Sequence, residues 1–121
     1  MTDFAEVAAR YIDTWNQTDP TARRTAISAL WAADGRYVDP LAAVQGHTAI
    51  DATITAAQSR FPDFAFRLAG PVDGHHRQCR FGWELGPAGA QAPIAGFDVA
   101  VLSDDGRIEA VFGFLDRVPA A

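Results

Sequence analysis

The spacing of apolar residues changes once along the chain, at Phe61-Pro62-Asp63. Before this point apolar residues recur every three or four positions, and after it they alternate with polar ones. The first spacing is typical of helices that bury one face, and the second of strands that bury one face. The chain is therefore predicted to have an α+β fold, with three N-terminal helices packed on a curved, mostly antiparallel sheet.

Three segments before the change are predicted to be helices. Asp19 is a good N-cap for the second of them, because Pro20 suits a first helical position. Tyr11 lies within the apolar stripe of the first helix, so its ring is expected to point inward and its hydroxyl to need a partner. The approximate ranges are Asp3 to Asn16, Pro20 to Trp31 with Asp34-Gly35 ending the helix, and His47 or Thr48 to Phe61.

A short strand, Arg36 to Asp39, is predicted between the second and third helices. Tyr37 and Asp39 share one side of it, because side chains of a strand alternate with a period of two. Asp39 precedes a proline, and this pattern is also typical of a residue that merely ends a strand in a turn. A loop from Leu41 to Gly46 is expected to follow.

Four longer strands are predicted after the change in spacing. Asp73-Gly74 is read as the tight turn between the first two. In the last strand, Phe112, Phe114 and Asp116 are expected to share a face with Ile108. The four ranges are Phe64 to Ala69, Arg77 to Leu85, Pro93 to Ser103, and Ile108 to Asp116.

Asp98 is the candidate for chemistry that stands out most clearly from the pattern. Gly96, Ala100 and Leu102 lie on its own face of the strand and are all apolar, so the carboxyl group is expected to be enclosed. An enclosed carboxyl group must pair, accept hydrogen bonds or hold a proton, and a raised pKa is the expectation. The alternative is a buried carboxylate that backbone groups satisfy, or a face that is more exposed than the pattern indicates.

Charge and composition exclude several classes of function. The formal charge of −5 gives no footprint for nucleic acid or an anionic membrane. A chain of 121 residues is expected to be one domain, 1–121. No leader or membrane-spanning run is recognised, so the expected location is the cytoplasm. Cys79 is the one cysteine, which excludes an intramolecular disulfide.

No cofactor or metal is expected. All ten Lys and Arg positions are Arg, so a Schiff-base lysine is impossible. His75-His76 and Cys79 resemble a metal site only superficially, because adjacent histidines on a hairpin point apart.

A protonated Asp98 and the Tyr11 hydroxyl are both donors, and with an ionised Asp39 as base they would suffice to form and stabilise an enolate.

The chain resembles the ketosteroid isomerase branch of the nuclear transport factor 2-like (NTF2-like) superfamily, and also its SnoaL-like group, which includes polyketide cyclases. The resemblance implies a cone-shaped fold with a deep apolar pocket, and a homodimer formed through the outer sheet face. It also implies that Asp39 is the base and that Tyr11 and Asp98 are the oxyanion donors. The residues that carry it are Arg10-Tyr11-Ile12, Trp15-Asn16, Tyr37-Val38-Asp39-Pro40, Gly46, Ala49-Ile50, Asp98, Gly106 and Gly113-Phe114-Leu115-Asp116.

The predicted function is a small acid–base enzyme acting on an apolar carbonyl compound, by isomerisation or by ring closure. The alternative is a small-molecule-binding or assembly module that has kept the fold without the chemistry. The Arg-x-Asp pair of the superfamily's epoxide hydrolases is absent. The pocket is predicted to be lined by Trp15, Tyr37, Phe61, Trp83, Phe112, Phe114 and Asp116.

Overall fold

The computed structural model describes residues 2–119, and its N-terminal half contains three helices. The carboxylate of Asp3 caps the first by accepting from the Glu6 amide at 3.1 Å. Asp19 caps the second in the same way, accepting from the Ala22 amide at 2.8 Å. The predicted cap at Asp19 is thereby confirmed. The helices are α1 (Phe4–Asn16), α2 (Pro20–Leu30) and α3 (His47–Arg60).

Within residues 2–119, six strands form one sheet in the order β2-β1-β6-β5-β4-β3. All neighbouring pairs are antiparallel except β1 and β6, which run parallel. The α+β prediction is confirmed. No helix within residues 2–119 is long and apolar enough to cross a membrane. The strands are β1 (Trp31–Val38), β2 (Ala43–Gln45), β3 (Phe64–His75), β4 (Gln78–Pro87), β5 (Ile94–Leu102) and β6 (Ile108–Arg117).

The boundary between α2 and β1 lies earlier than predicted. The helix ends at Leu30, and Trp31 already pairs with Ile108 of β6. Gly35, predicted to end the helix, lies within the strand, where a Cβ would come 2.6 Å from the Trp31 ring. Tertiary packing of a large indole therefore overrides the local Asp-Gly turn signal.

The hairpin between β3 and β4 also turns later than predicted. Asp73 and Gly74 continue β3 and pair with Arg80 and Cys79, and the turn lies at His76, whose φ is 54°. A Cβ on Gly74 would come 2.6 Å from the Phe4 ring of α1. The glycine therefore serves close packing between helix and strand at this position. The predicted loop after Asp39 contains the short strand β2.

A β-bulge in β6 reverses its side-chain alternation. Leu102 of β5 pairs with Ile108, whereas the preceding residue, Val101, pairs with Ala110. Glu109 is therefore the extra residue, and the alternation beyond it is shifted by one position. From Val111 to Leu115 the odd-numbered residues face the helices, and Phe112 and Phe114 face outward, 37% and 58% exposed.

The core lies between the helices and the inner face of the sheet, and one buried cation joins the helices above it. Arg23 of α2 is 4% exposed, and its Nε donates to Asp51 of α3 at 2.6 Å. The same guanidinium donates to Thr55, to Gln58 and to the Gln17 carbonyl. Because a buried charge needs such partners, the three helices are held in a defined arrangement over the sheet.

Candidate active site

A cavity of about 490 Å³ opens between the helices and the inner face of the sheet. Its volume is in the range of small-molecule pockets. Six of the lining residues are aromatic, and four of their rings form a connected row. Between ring centroids, Trp15 lies 5.4 Å from Tyr37 and 5.3 Å from Phe66, and Phe66 lies 5.4 Å from Trp83. A ligand here would be mainly in apolar surroundings.

Asp39 lines this cavity and is held by three donors. Its Oδ2 accepts from the Tyr37 hydroxyl at 2.6 Å, and its Oδ1 accepts from the amides of Leu41 and Ala42, both at 2.8 Å. Burial and the bond to Asp39 raise the pKa of Tyr37 well above its ordinary value, so the phenol stays a donor. The carboxyl group of Asp39 is thereby fixed in orientation at the end of β1.

Asp98 lines the same cavity from β5 and is 3% exposed. The predicted enclosure is confirmed, because Gly96, Ala100 and Leu102 are buried beside it. Burial raises the pKa of Asp98 to about 6, and the Trp83 indole N–H and the Tyr11 hydroxyl beside it oppose this rise. The carboxyl group therefore changes its protonation state close to neutral pH.

Gly113 of β6 is the point where Asp39 and Asp98 approach each other. It pairs with Asp98 across the strands, and a Cβ on it would lie 2.8 Å from Asp98 Oδ1 and 3.4 Å from Asp39 Cβ. The φ of Gly113 is not in the left-handed region, so the glycine is needed for space and not for its conformation. The missing side chain leaves room for two acidic side chains at one place.

The Tyr11 hydroxyl completes the polar end of the cavity. The Tyr11 ring is 2% exposed, and its centroid lies 5.5 Å from that of the Phe81 ring. Phe81 in turn pairs with Asp98 between β4 and β5. Burial, followed by the neighbouring Asp98, raises the pKa of Tyr11 well above its usual value. Within residues 2–119 no protein group makes a well-formed hydrogen bond to the hydroxyl, nor to Trp15 Nε1 or Trp83 Nε1. A fourth such donor, Trp31 Nε1, is not part of the cavity lining, so three of the four lie where a ligand could supply an acceptor.

The family model of the SnoaL-like domain matches residues 8–111. The chain belongs to the SnoaL-like family. A crystal structure from Agrobacterium tumefaciens strain C58, named as a candidate isomerase of the SnoaL-like family, is 41% identical. The match covers 96% of this chain and 99% of that one, with a TM-score of 0.91.

More distant SnoaL-like and NTF2-like structures share the fold. A candidate SnoaL-like polyketide cyclase from Jannaschia sp. CCS1 is 18% identical over 93% of this chain and 84% of that one, with a TM-score of 0.75. An NTF2-like protein of unknown function from Exiguobacterium sp. 255-15 is 23% identical over 91% and 98%, with a TM-score of 0.72. No curated protein matches the chain. The predicted NTF2-like fold is confirmed.

Most of the predicted site residues do line the SnoaL-like cavity. The structure brings Asp39, Tyr11 and Asp98 to it, together with Trp15, Tyr37, Phe61 and Trp83. In the described part of the chain no group of three or more His, Cys, Asp or Glu side chains is arranged to hold a metal ion.

The prediction that Phe112, Phe114 and Asp116 line the pocket is wrong. The bulge at Glu109 turns both phenylalanines to the outer face, and Leu115 lines the cavity instead. Asp116 lies at a second register shift, because Gly96 pairs with Leu115 and Ala95 with Arg117, and it is exposed. A strict period of two fails where a strand is bulged.

Among the features of the site that the sequence did not predict are the roles of Gly113 and Arg60. Gly113 could not be recognised, because its importance depends on its pairing with a residue fifteen positions earlier. Arg60, which lines the cavity together with Phe61, is the last residue of α3, and no sequence pattern marks it as part of a site. Its position directly before a predicted pocket residue was the only available signal.

Proposed function

We propose that this protein is a cofactor-free acid–base enzyme that acts on an apolar carbonyl compound through an enolate. The observation that supports it is the meeting of Asp39, Asp98 and the Tyr11 hydroxyl at one apolar cavity. A base beside hydrogen-bond donors, in a site with little water, is the minimum for removing a proton next to a carbonyl group.

In this proposal Asp39 moves the proton. The Tyr37 hydroxyl and the amides of Leu41 and Ala42 hold its carboxylate in one orientation, as a base requires. Tyr11 and protonated Asp98 donate to the enolate oxygen. The negative charge on the enolate oxygen stabilises the protonated form of Asp98. Burial has already raised the pKa of this carboxyl group to about 6.

Isomerisation is the reaction that the comparisons favour over ring closure. The relative that is 41% identical is named as a candidate isomerase, whereas the named cyclase is 18% identical and supports the fold alone. Moving a double bond in an enone needs only one base and an enolate stabiliser, which matches the three polar groups of the cavity.

The experiment uses a β,γ-unsaturated ketone such as 3-cyclohexenone, with conversion to the conjugated enone followed by ultraviolet absorbance. Asp39→Asn is expected to reduce the rate by about 10² to 10⁴, because it removes the base. Binding of 2-naphthol, a neutral phenol that mimics an enol, should persist. Asp13→Asn, which removes an exposed carboxylate of α1, is the matched control. Full activity in Asp39→Asn would refute the role of Asp39.

The pH dependence separates the two carboxyl roles. If protonated Asp98 is the donor, the rate must fall as the pH rises through about 6. A rate that rises through the same range would mean that Asp98 is the base. A protein that binds 2-naphthol but converts no ketone would be a binding module.

We also propose a homodimer formed through the outer sheet face. The two exposed phenylalanines of β6 pair across the strands with apolar residues of β5, Phe112 with Val99 and Phe114 with Phe97. These four side chains form an outer apolar patch on the sheet. Large exposed apolar patches on a soluble domain are typical of contact surfaces.

A further inference from the structure

Arg60 is a cation at the rim of the cavity, and no side chain within residues 2–119 neutralises it. Arg60 lines the cavity, and its guanidinium carbon lies 5.8 Å from the centroid of the Phe61 ring, which lines it too. In the part of the chain that the structure describes, Arg60 has no carboxylate within 4.0 Å and no hydrogen bond. The cation is therefore free to pair with a ligand.

Arg60 differs in this respect from the other arginines. Six of the ten are paired with a carboxylate, among them Arg67 and Arg117, which share Glu84. Three more, Arg10, Arg24 and Arg36, have no carboxylate partner among residues 2–119, and they do not line the cavity. In a chain with a net charge of −5, a cation kept at the rim of an apolar cavity favours a ligand with an anionic group.

The strand register separates Asp98 from the start of β3, the strand that follows Arg60 in the chain. Asp98 pairs with Phe81 of β4, whereas Phe66 pairs with Leu85, four residues further along the same strand. Four residues of strand correspond to about 13 Å. Arg60 ends α3 four positions before Phe64, and Phe64 pairs with Pro87 at the end of β4 beyond Leu85, so we infer that Arg60 lies toward that end of the cavity.

We propose that the substrate carries an anionic group, such as a carboxylate, that pairs with Arg60 at the rim while its carbonyl lies between Tyr11 and Asp98. This inference rests on the proposed function, since it takes the acidic end as the reacting end. A guanidinium recognises a carboxylate by charge-assisted hydrogen bonds, and its stacking on Phe61 limits the positions it can adopt. An apolar middle and an anionic end define the substrate class.

The test compares 6-hydroxy-2-naphthoate, a phenol with a distant carboxylate, with its neutral methyl ester. Affinities are measured by titration calorimetry for the wild type, Arg60→Gln and Arg24→Gln. Arg24 is an exposed, unpaired arginine of α2 away from the cavity and serves as the matched control.

The wild type and Arg24→Gln are expected to bind the acid about three to ten times more tightly than the ester, as a partly exposed ion pair allows. Arg60→Gln should bring this ratio close to one, and added salt should lower it in the wild type. A ratio of one in the wild type, or an unchanged ratio in Arg60→Gln, would overturn the proposal. The neutral ester has no anionic group for Arg60, so its binding to Asp98→Asn tests only the contact at the Tyr11–Asp98 end. The ratio of acid to ester affinity tests only the contact at Arg60, and the two proposals can therefore fail separately.

Discussion

Replacing Asp98 with asparagine is expected to change how the stability of the fold depends on pH. The carboxyl group is 3% exposed, and its pKa is raised from 3.8 to about 6, chiefly because burial disfavours the charged form. Asparagine has nearly the same shape but cannot ionise. The substitution therefore removes the ionisation and leaves the packing beside Gly113 largely intact.

The sign and size follow from the two pKa values. Between pH 4 and 6 the unfolded chain releases this proton while the folded chain keeps it, so the free energy of unfolding falls as the pH rises. Above pH 6 the folded state carries the full cost of the buried charge. A difference of roughly two pKa units, from 3.8 to about 6, corresponds to about 3 kcal/mol.

The assay is urea unfolding followed by tryptophan fluorescence at several values between pH 4 and pH 8. The stability of Asp98→Asn minus that of the wild type is expected to rise by about 3 kcal/mol across this range. Asp13→Asn controls for the loss of one negative charge at the surface. If the difference between Asp98→Asn and the wild type is the same at both ends of the range, Asp98 ionises as an ordinary carboxyl group and the proposed donor role fails.

Two further substitutions test the spacing of the site and the outer face. Gly113→Ala would place a Cβ 2.8 Å from Asp98 Oδ1, so we expect a loss of about 1–3 kcal/mol in urea unfolding and weaker binding of 2-naphthol; unchanged binding would show that the spacing is not needed. Phe114→Glu is expected to yield a monomer by light scattering after gel filtration, whereas Leu41→Glu, which changes a 75% exposed side chain at the cavity, should leave the dimer intact. A wild-type monomer would refute the proposed assembly.

Local patterns predicted the helices and the enclosure of Asp98 because these depend on neighbours in sequence. Side chains of β5 alternate strictly between the two faces, and the register between β5 and β4 has no bulge. The residues that share a face with Asp98 therefore follow from counting every second position. The capping residues Asp3 and Asp19 act within three positions. Such short-range effects can be read directly from residue types.

The approach of Asp39 to Asp98 could not be derived from local pattern. It depends on the parallel pairing of β1 with β6 and on the antiparallel pairing of β6 with β5, which together place Gly113 between the two side chains. Pairing register is a property of distant segments, and a bulge alters it without a distinctive residue type. Resemblance to a family supplied the expectation that local physics could not.

The bulge at Glu109 determines which residues of β6 face each side of the sheet. Beyond it, Val111, Gly113 and Leu115 belong to the cavity side, whereas Phe112 and Phe114 belong to the opposite side. Substitutions at alternate positions are therefore expected to alter the proposed ligand binding and the proposed dimer independently. Deleting Glu109 would exchange the two sets, burying both phenylalanines under the helices and removing the glycine from between Asp39 and Asp98.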